Sequence, residues 1–258
     1  MAFEFPAGFT WGTATSAHQV EGNNFNSDFW VMEHAPGTLF AEPSGDAVDH
    51  FHRYSEDIRL LAQLGFNAYR FSIEWARIEP EEGHFSTAAL DHYRRMMACC
   101  LEHGIAPCVT FHHFTSPRWF AADGGWEDVK NADRFARYCE RAVLHLGDLI
   151  AAAYTINEAN LTATLRVVGL LPERGLKSVT AFIDDAARRC NSTAERFGPF
   201  LLGEPMKIRD TMLAAHLKGR DALKAGRGSF PVGITLAMQD YQAVPGGEAH
   251  RDRARAES

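Results

Sequence analysis

Four times along this chain an amphipathic helical stretch stops at a glycine and a short apolar run follows, and no other feature restricts the fold as much. Residues 54–64 place Ile58, Leu61 and Leu64 at helical spacing and stop at Gly65, ahead of a strand predicted over 68–73. Residues 87–103 stop at Gly104 before a strand at 105–111, and residues 131–146 stop at Gly147 before a strand at 152–157. Residues 208–225 stop at Gly226 before a strand at 232–237, and a small-residue strand over 9–16 precedes them all. Repeated units of this kind predict an α/β fold with a parallel sheet, either doubly wound or a (β/α) barrel. A nucleotide-binding doubly wound sheet loses its main support, because no strand runs into a GxGxxG loop and Gly12 stands alone after Trp11. The stretch 160–205 reads as a loop excursion with a helix near 179–197. Residues 1–258 are expected to form a single domain, but five strands consume nearly the whole length, and a closed barrel has eight. The expectation is an incomplete (β/α) barrel made of about the first five βα units.

Composition narrows the function classes. The formal net charge is −7, and the basic residues are scattered, so no nucleic-acid or anionic-membrane partner is expected. The run Arg251, Arg253 and Arg255 alternates with acids and reads as a solvated helix face on which the chain ends without a cap. Cys99, Cys100, Cys108, Cys139 and Cys190 form no CxxC pair and read as buried free thiols. Without a signal-peptide pattern or a long apolar run, the expected location is the cytoplasm.

Functional groups of a (β/α) barrel stand at the carboxyl ends of its strands. There the sequence places His18, Gln19 and Glu21; Arg70, Glu74 and Trp75; His112 and His113; Asn157, Glu158 and Asn160; and Gln239, Asp240 and Tyr241. Amides, histidines, carboxylates and an arginine beside aromatic rings suit a polyhydroxylated ligand. A metal centre is the weaker alternative: His112 and His113 are adjacent, so one faces the pocket while the other packs away, and no HExxH spacing occurs.

Six segments in order carry a family resemblance. Residues 9–22 (FTWGTATSAHQVEG), 45–54 (GDAVDHFHRY), 69–78 (YRFSIEWARI), 109–117 (VTFHHFTSP), 124–126 (GGW) and 155–158 (TINE) resemble glycoside hydrolase family 1, in a version similar to a bacterial branch. The resemblance implies a (β/α)8 TIM barrel and a retaining β-glycosidase of the β-glucosidase type, acting on terminal non-reducing β-D-glucosyl residues without cofactor or metal. β-Galactosides and β-fucosides are further candidate substrates. By resemblance, Glu158 is the acid/base, Asn157 binds the sugar 2-hydroxyl, and Gln19 and His113 take the 3- and 4-hydroxyls. Arg70 is the partner of the nucleophilic carboxylate. Trp75 and Trp126 read as core or pocket wall, and Trp11 as core.

Two departures stand out. Ala159 replaces the proline usual after the acid/base, and Phe114-Thr115-Ser116-Pro117 replaces Trp-Asp-Leu-Pro. A larger one is that the family's nucleophile motif, Thr-Glu-Asn-Gly, occurs nowhere in the sequence. The expectation is therefore a chain that is inactive alone and completed by the carboxy-terminal remainder of the barrel, as a second chain or a missing segment. The alternatives are a non-catalytic or degenerate sugar-binding partial barrel, and an inert partial barrel that oligomerises through its open edges.

Overall fold

The computed structural model describes residues 4–172, 176–238, 242 and 244–246. Gln239, Asp240, Tyr241 and the arginines after residue 250 lie outside the described residues. Five strands, β1 (Gly12–Ala14), β2 (Ala68–Ser72), β3 (Ala106–His112), β4 (Ala152–Ile156) and β5 (Val232–Gly233), form one sheet in the order β1-β2-β3-β4-β5. Every neighbouring pair is parallel, with Gly12 against Ala68, Ala68 against Ala106, Cys108 against Ala152 and Ala153 against Val232.

The helices are α1 (Ala17–Val20), α2 (Asp28–Glu33), α3 (His50–Gln63), α4 (Trp75–Ile78), α5 (Thr87–Glu102), α6 (Arg118–Ala122), α7 (Asn131–Leu146), α8 (Leu161–Val167), α9 (Lys177–Arg189) and α10 (Pro205–Ala225). The predicted helices and strands are present with ends shifted by a few residues. Helix α10 starts three residues early because Pro205 fits the first turn, where no N–H is needed, and Glu204 accepts from the N–H groups of Met206 and Lys207. Helix α9 stops at Arg189 rather than near 197. Its buried stripe, Val179, Phe182, Ile183, Ala186 and Ala187, packs on Phe29, Val31 and Met32 of α2.

The four helix-ending glycines divide in two. Gly65 and Gly104 adopt positive φ, the left-handed stop that glycine makes without strain. Gly147 and Gly226 do not, at φ −60° and −81°. A Cβ on Gly147 would lie 2.1 Å from the Arg227 carbonyl oxygen, and one on Gly226 would lie 2.3 Å from a Val143 methyl. Close packing of the α10–β5 connection on the end of α7 requires them.

The core lies between the sheet and the helices on its outer side. Trp75 stacks on Tyr138 at 5.0 Å, and Phe111, Phe120, Trp126 and Phe135 surround them, all buried. Trp11 departs from its expected core place. It is 44% exposed and packs with Phe5 and Phe9, while its carbonyl accepts from Asn67 and Ala68 at the start of the sheet. Of the cysteines, Cys100 and Cys139 are buried, and Cys99, Cys108 and Cys190 are only partly so.

Strand β5 is shorter than predicted: its ladder with β4 ends at Gly233, and beyond it Thr235 bonds to Ile156 and to Ala159, where the chain after β4 turns away into α8. Ile234 and Leu236, with Pro205, Met206, Met212 and Leu213, line an apolar groove of about 420 Å³. Among the described residues no helix is long and apolar enough to cross a membrane.

Candidate active site

The carboxyl end of β4 carries the acid/base candidate. The ladder runs one step past the strand, where the Asn157 N–H donates to the His112 carbonyl at 2.8 Å. At Glu158 the backbone turns to φ +49°, and the Glu158 carbonyl then accepts from Leu161 to open α8. A non-glycine residue in this region stores about 1–3 kcal/mol and persists only where neighbours hold it. Here the Glu158 N–H donates to Thr235 Oγ1 at 3.0 Å, and the Ala159 N–H donates to the Thr235 carbonyl at 3.3 Å. A proline at 159 could not make the second bond.

Asn157 is 2% exposed, and its Oδ1 accepts twice, from Arg70 Nη2 at 2.9 Å and from the Thr235 hydroxyl at 3.0 Å. Arg70 reaches it from β2, with its guanidinium 5.5 Å from the Tyr154 ring. Arginine is the fitting residue, since a planar fork can be aimed while it stays charged.

His112 and His113 divide as the strand alternation predicts. His112 packs against Trp126 at 4.6 Å and Phe200 at 5.6 Å, with Nε2 3.2 Å from Ser116 Oγ. Burial lowers its pKa to about 3. His113 is half-buried against Phe114, and burial, helped by the positive charge of Arg70, lowers its pKa to about 4. A neutral imidazole next to Arg70 can donate and accept in the same plane, which suits a sugar hydroxyl.

Gln19 sits on α1 and is exposed. Its short helix is anchored at both ends. The Ala17 N–H donates to Ser72 Oγ at 2.7 Å, and the buried Glu21 carboxylate accepts from Tyr93 at 3.0 Å and from Arg77 Nε at 3.0 Å. Burial outweighs the Arg77 charge and raises the Glu21 carboxyl to about 7.

The departures in the segment after β3 have local reasons. Thr115 donates to the buried Glu74 carboxylate at 2.8 Å, where an aspartate would have set a second carboxylate against it. Ser116 accepts from Trp126 Nε1 at 2.9 Å. Trp75 and Trp126 are both fully buried, so they are wall and core rather than contacts for a ligand.

Thus Arg70, Asn157 and Thr235 are joined directly, Glu158 follows Asn157, and His113 lies within the field of Arg70. Thr235 escaped the sequence reading. A strand predicted to run to residue 237 put the rim at Gln239, whereas β5 ends at Gly233 and Thr235 is already past it.

Parallel βα units with polar groups at and beyond the strand ends define a (β/α)8 barrel protein of which this chain supplies about the first five units. The family model for glycosyl hydrolase family 1 matches residues 1–188, and the chain belongs to that family. Beta-glucosidase A of Acetivibrio thermocellus is 39% identical over 169 residues, covering 62% of this chain and 38% of that protein. Among solved structures, beta-glycosidase BGL167 superposes with a TM-score of 0.90 at 53% identity, covering 98% of this chain and 61% of the other. A family 1 β-glucosidase from Thermotoga maritima superposes with a TM-score of 0.76 at 28% identity, covering 97% and 53%. The chain therefore spans less than two thirds of the length of each of these relatives.

Proposed function

We propose that residues 1–258 are one incomplete barrel domain, the amino-terminal part of a retaining β-glycosidase of the β-glucosidase type. The observation that carries the proposal is the doubly held Asn157 next to Glu158, at the sheet end where Arg70 and His113 also stand. Glu158 protonates the departing glycosidic oxygen and then takes a proton from the attacking water. Asn157 holds the sugar 2-hydroxyl, and Gln19 and His113 take the 3- and 4-hydroxyls. The Arg70 guanidinium keeps the incoming nucleophile ionised. That nucleophile belongs to the carboxy-terminal remainder of the barrel, and the two carboxyls stand about 5–5.5 Å apart in a retaining enzyme. The edge of β5, which no strand pairs among the described residues, and the apolar groove beside it support a polypeptide partner there. The substrate class is a terminal β-D-glucoside. The free thiols fit a reducing compartment such as the cytoplasm.

The test joins this chain to a polypeptide carrying the remaining strands and assays an aryl β-glucoside. Glu158→Gln should lower kcat/KM for alkyl β-glucosides by about 10²–10⁴-fold and that for dinitrophenyl β-glucoside far less, since kcat/KM reports the first step, in which only the poor leaving group needs the acid. Equal rates for wild type and variant would remove Glu158 from this role.

A second reading is a sugar-binding partial barrel that cleaves nothing, in which the buried Asn157 carboxamide and the neutral His113 still offer hydrogen bonds to a sugar. Glucose binding by the chain, with no turnover in the joined assay, would select it.

A further inference from the structure

Thr235 touches the site at three points. Its hydroxyl accepts from the Glu158 N–H at 3.0 Å and donates to Asn157 Oδ1 at 3.0 Å, and its carbonyl accepts from the Ala159 N–H. Its own N–H donates to the Ile156 carbonyl at 3.2 Å, so the residue continues the line of β5 along the end of β4. One hydroxyl therefore has its lone pair and its proton committed to consecutive residues of the site. Arg70 can only donate, so Oδ1 has to face it; turning the Asn157 amide over would set Nδ2 against the guanidinium and give up the bond that the Thr235 hydroxyl donates to Oδ1. The Nδ2 hydrogens make no bond to another described residue and remain as donors for a ligand.

We propose that Thr235 is a positioning residue: its hydroxyl holds the left-handed turn at Glu158 and sets the orientation of the Asn157 carboxamide, so that the site presents an amide donor beside the acid. The role rests on the reading of Glu158 as acid/base and Asn157 as sugar ligand. It adds that the segment just past the fifth strand, rather than the end of the fourth alone, aims both.

Two variants separate hydroxyl from shape. Thr235→Val keeps the branched volume and loses the O–H, whereas Thr235→Ser keeps the O–H and loses the methyl. NMR on the full chain follows hydrogen exchange at the Glu158 amide and the Asn157 carboxamide. The expected result is exchange at Glu158 faster by about tenfold in Thr235→Val and unchanged in Thr235→Ser. The reverse order, or no change in either variant, overturns the proposal. Should Thr235→Val fail to fold, the wild type decides: a Glu158 amide exchanging as fast as in an unstructured peptide overturns it, and a protected one preserved in Thr235→Ser supports it. In the joined enzyme, Thr235→Val should lower kcat/KM about tenfold more for methyl β-glucoside than for dinitrophenyl β-glucoside, since only the first needs a well-placed acid. Equal losses on both substrates overturn the role. If wild type and variants turn over neither substrate, the glycosidase reading fails while the exchange result still decides Thr235.

Discussion

Arg70, in the middle of β2, and Asn157, one residue past β4, belong to strands two places apart in the sheet and lie 87 positions apart in the chain, yet Arg70 Nη2 meets Asn157 Oδ1 at 2.9 Å. The bond ties a permanent charge to a residue that is almost wholly buried. It also makes the orientation of one amide depend on two strands that local sequence does not connect.

Replacing Arg70 should therefore damage the site without removing its charge. Lysine offers a point charge on a flexible stem and cannot hold the same planar geometry. Arg70→Lys should lower kcat/KM for an aryl β-glucoside by about tenfold or more in the joined enzyme. Steady-state kinetics check it, and full activity in the variant would show that charge alone suffices.

The pH response of His113 has a definite sign. The unfolded chain takes up a proton there near the ordinary 6.5, the folded chain only near 4. Between these values the unfolded state carries more protons, so the stability contributed by a neutral His113 is complete above 6.5 and is lost as pH falls through 4. His113→Gln should be less sensitive to acid than wild type across this range. Urea unfolding midpoints at several pH values would reveal it, and parallel curves for the two proteins would contradict it.

Glu21 works in the opposite direction. Its carboxyl titrates near 7 in the fold against an ordinary 4.5, so the folded state carries the extra proton between them. That contribution is full below 4.5 and lost as pH rises through 7. Glu21→Gln stays neutral and keeps an acceptor for Tyr93 and Arg77. Its stability relative to wild type should rise as pH climbs from about 4.5 to about 8. Thermal unfolding with pH measures the difference, and a constant difference would rule the ionisation out.

The two kinds of helix-ending glycine predict different costs. Gly65→Ala meets open space and only the strain of positive φ, about 1 kcal/mol. Gly147→Ala keeps a comfortable φ but drives a methyl into the Arg227 carbonyl, and should cost about 2–4 kcal/mol. Chemical denaturation orders the pair, and equal losses would mean that the α10–β5 connection yields without penalty.

Helix α7 matched its predicted span, and α5 missed by one residue, because an amphipathic stripe over about four turns and a glycine stop are local signals. Strand β5 and Trp11 were misjudged for a shared reason. A strand end is set by the partner beside it, and the burial of an aromatic is set by what covers it; a single sequence encodes neither locally. The same holds for Gly147 and Gly226, whose spacing looked like helix stops while their cause is a neighbouring segment.

By itself the sequence determined the βα rhythm, the parallel sheet and the residue types at the strand ends, since periodicity, glycine stops and ordered motifs are all written within short windows. Only the tertiary structure decided which of those residues meet. The orientation of Asn157 is selected by an arginine 87 positions before it and a threonine 78 positions after it, and the left-handed turn at Glu158 by that same threonine. Hydrogen bonds act over about 3 Å, so contacts between residues this far apart in the chain exist only once the strands lie side by side.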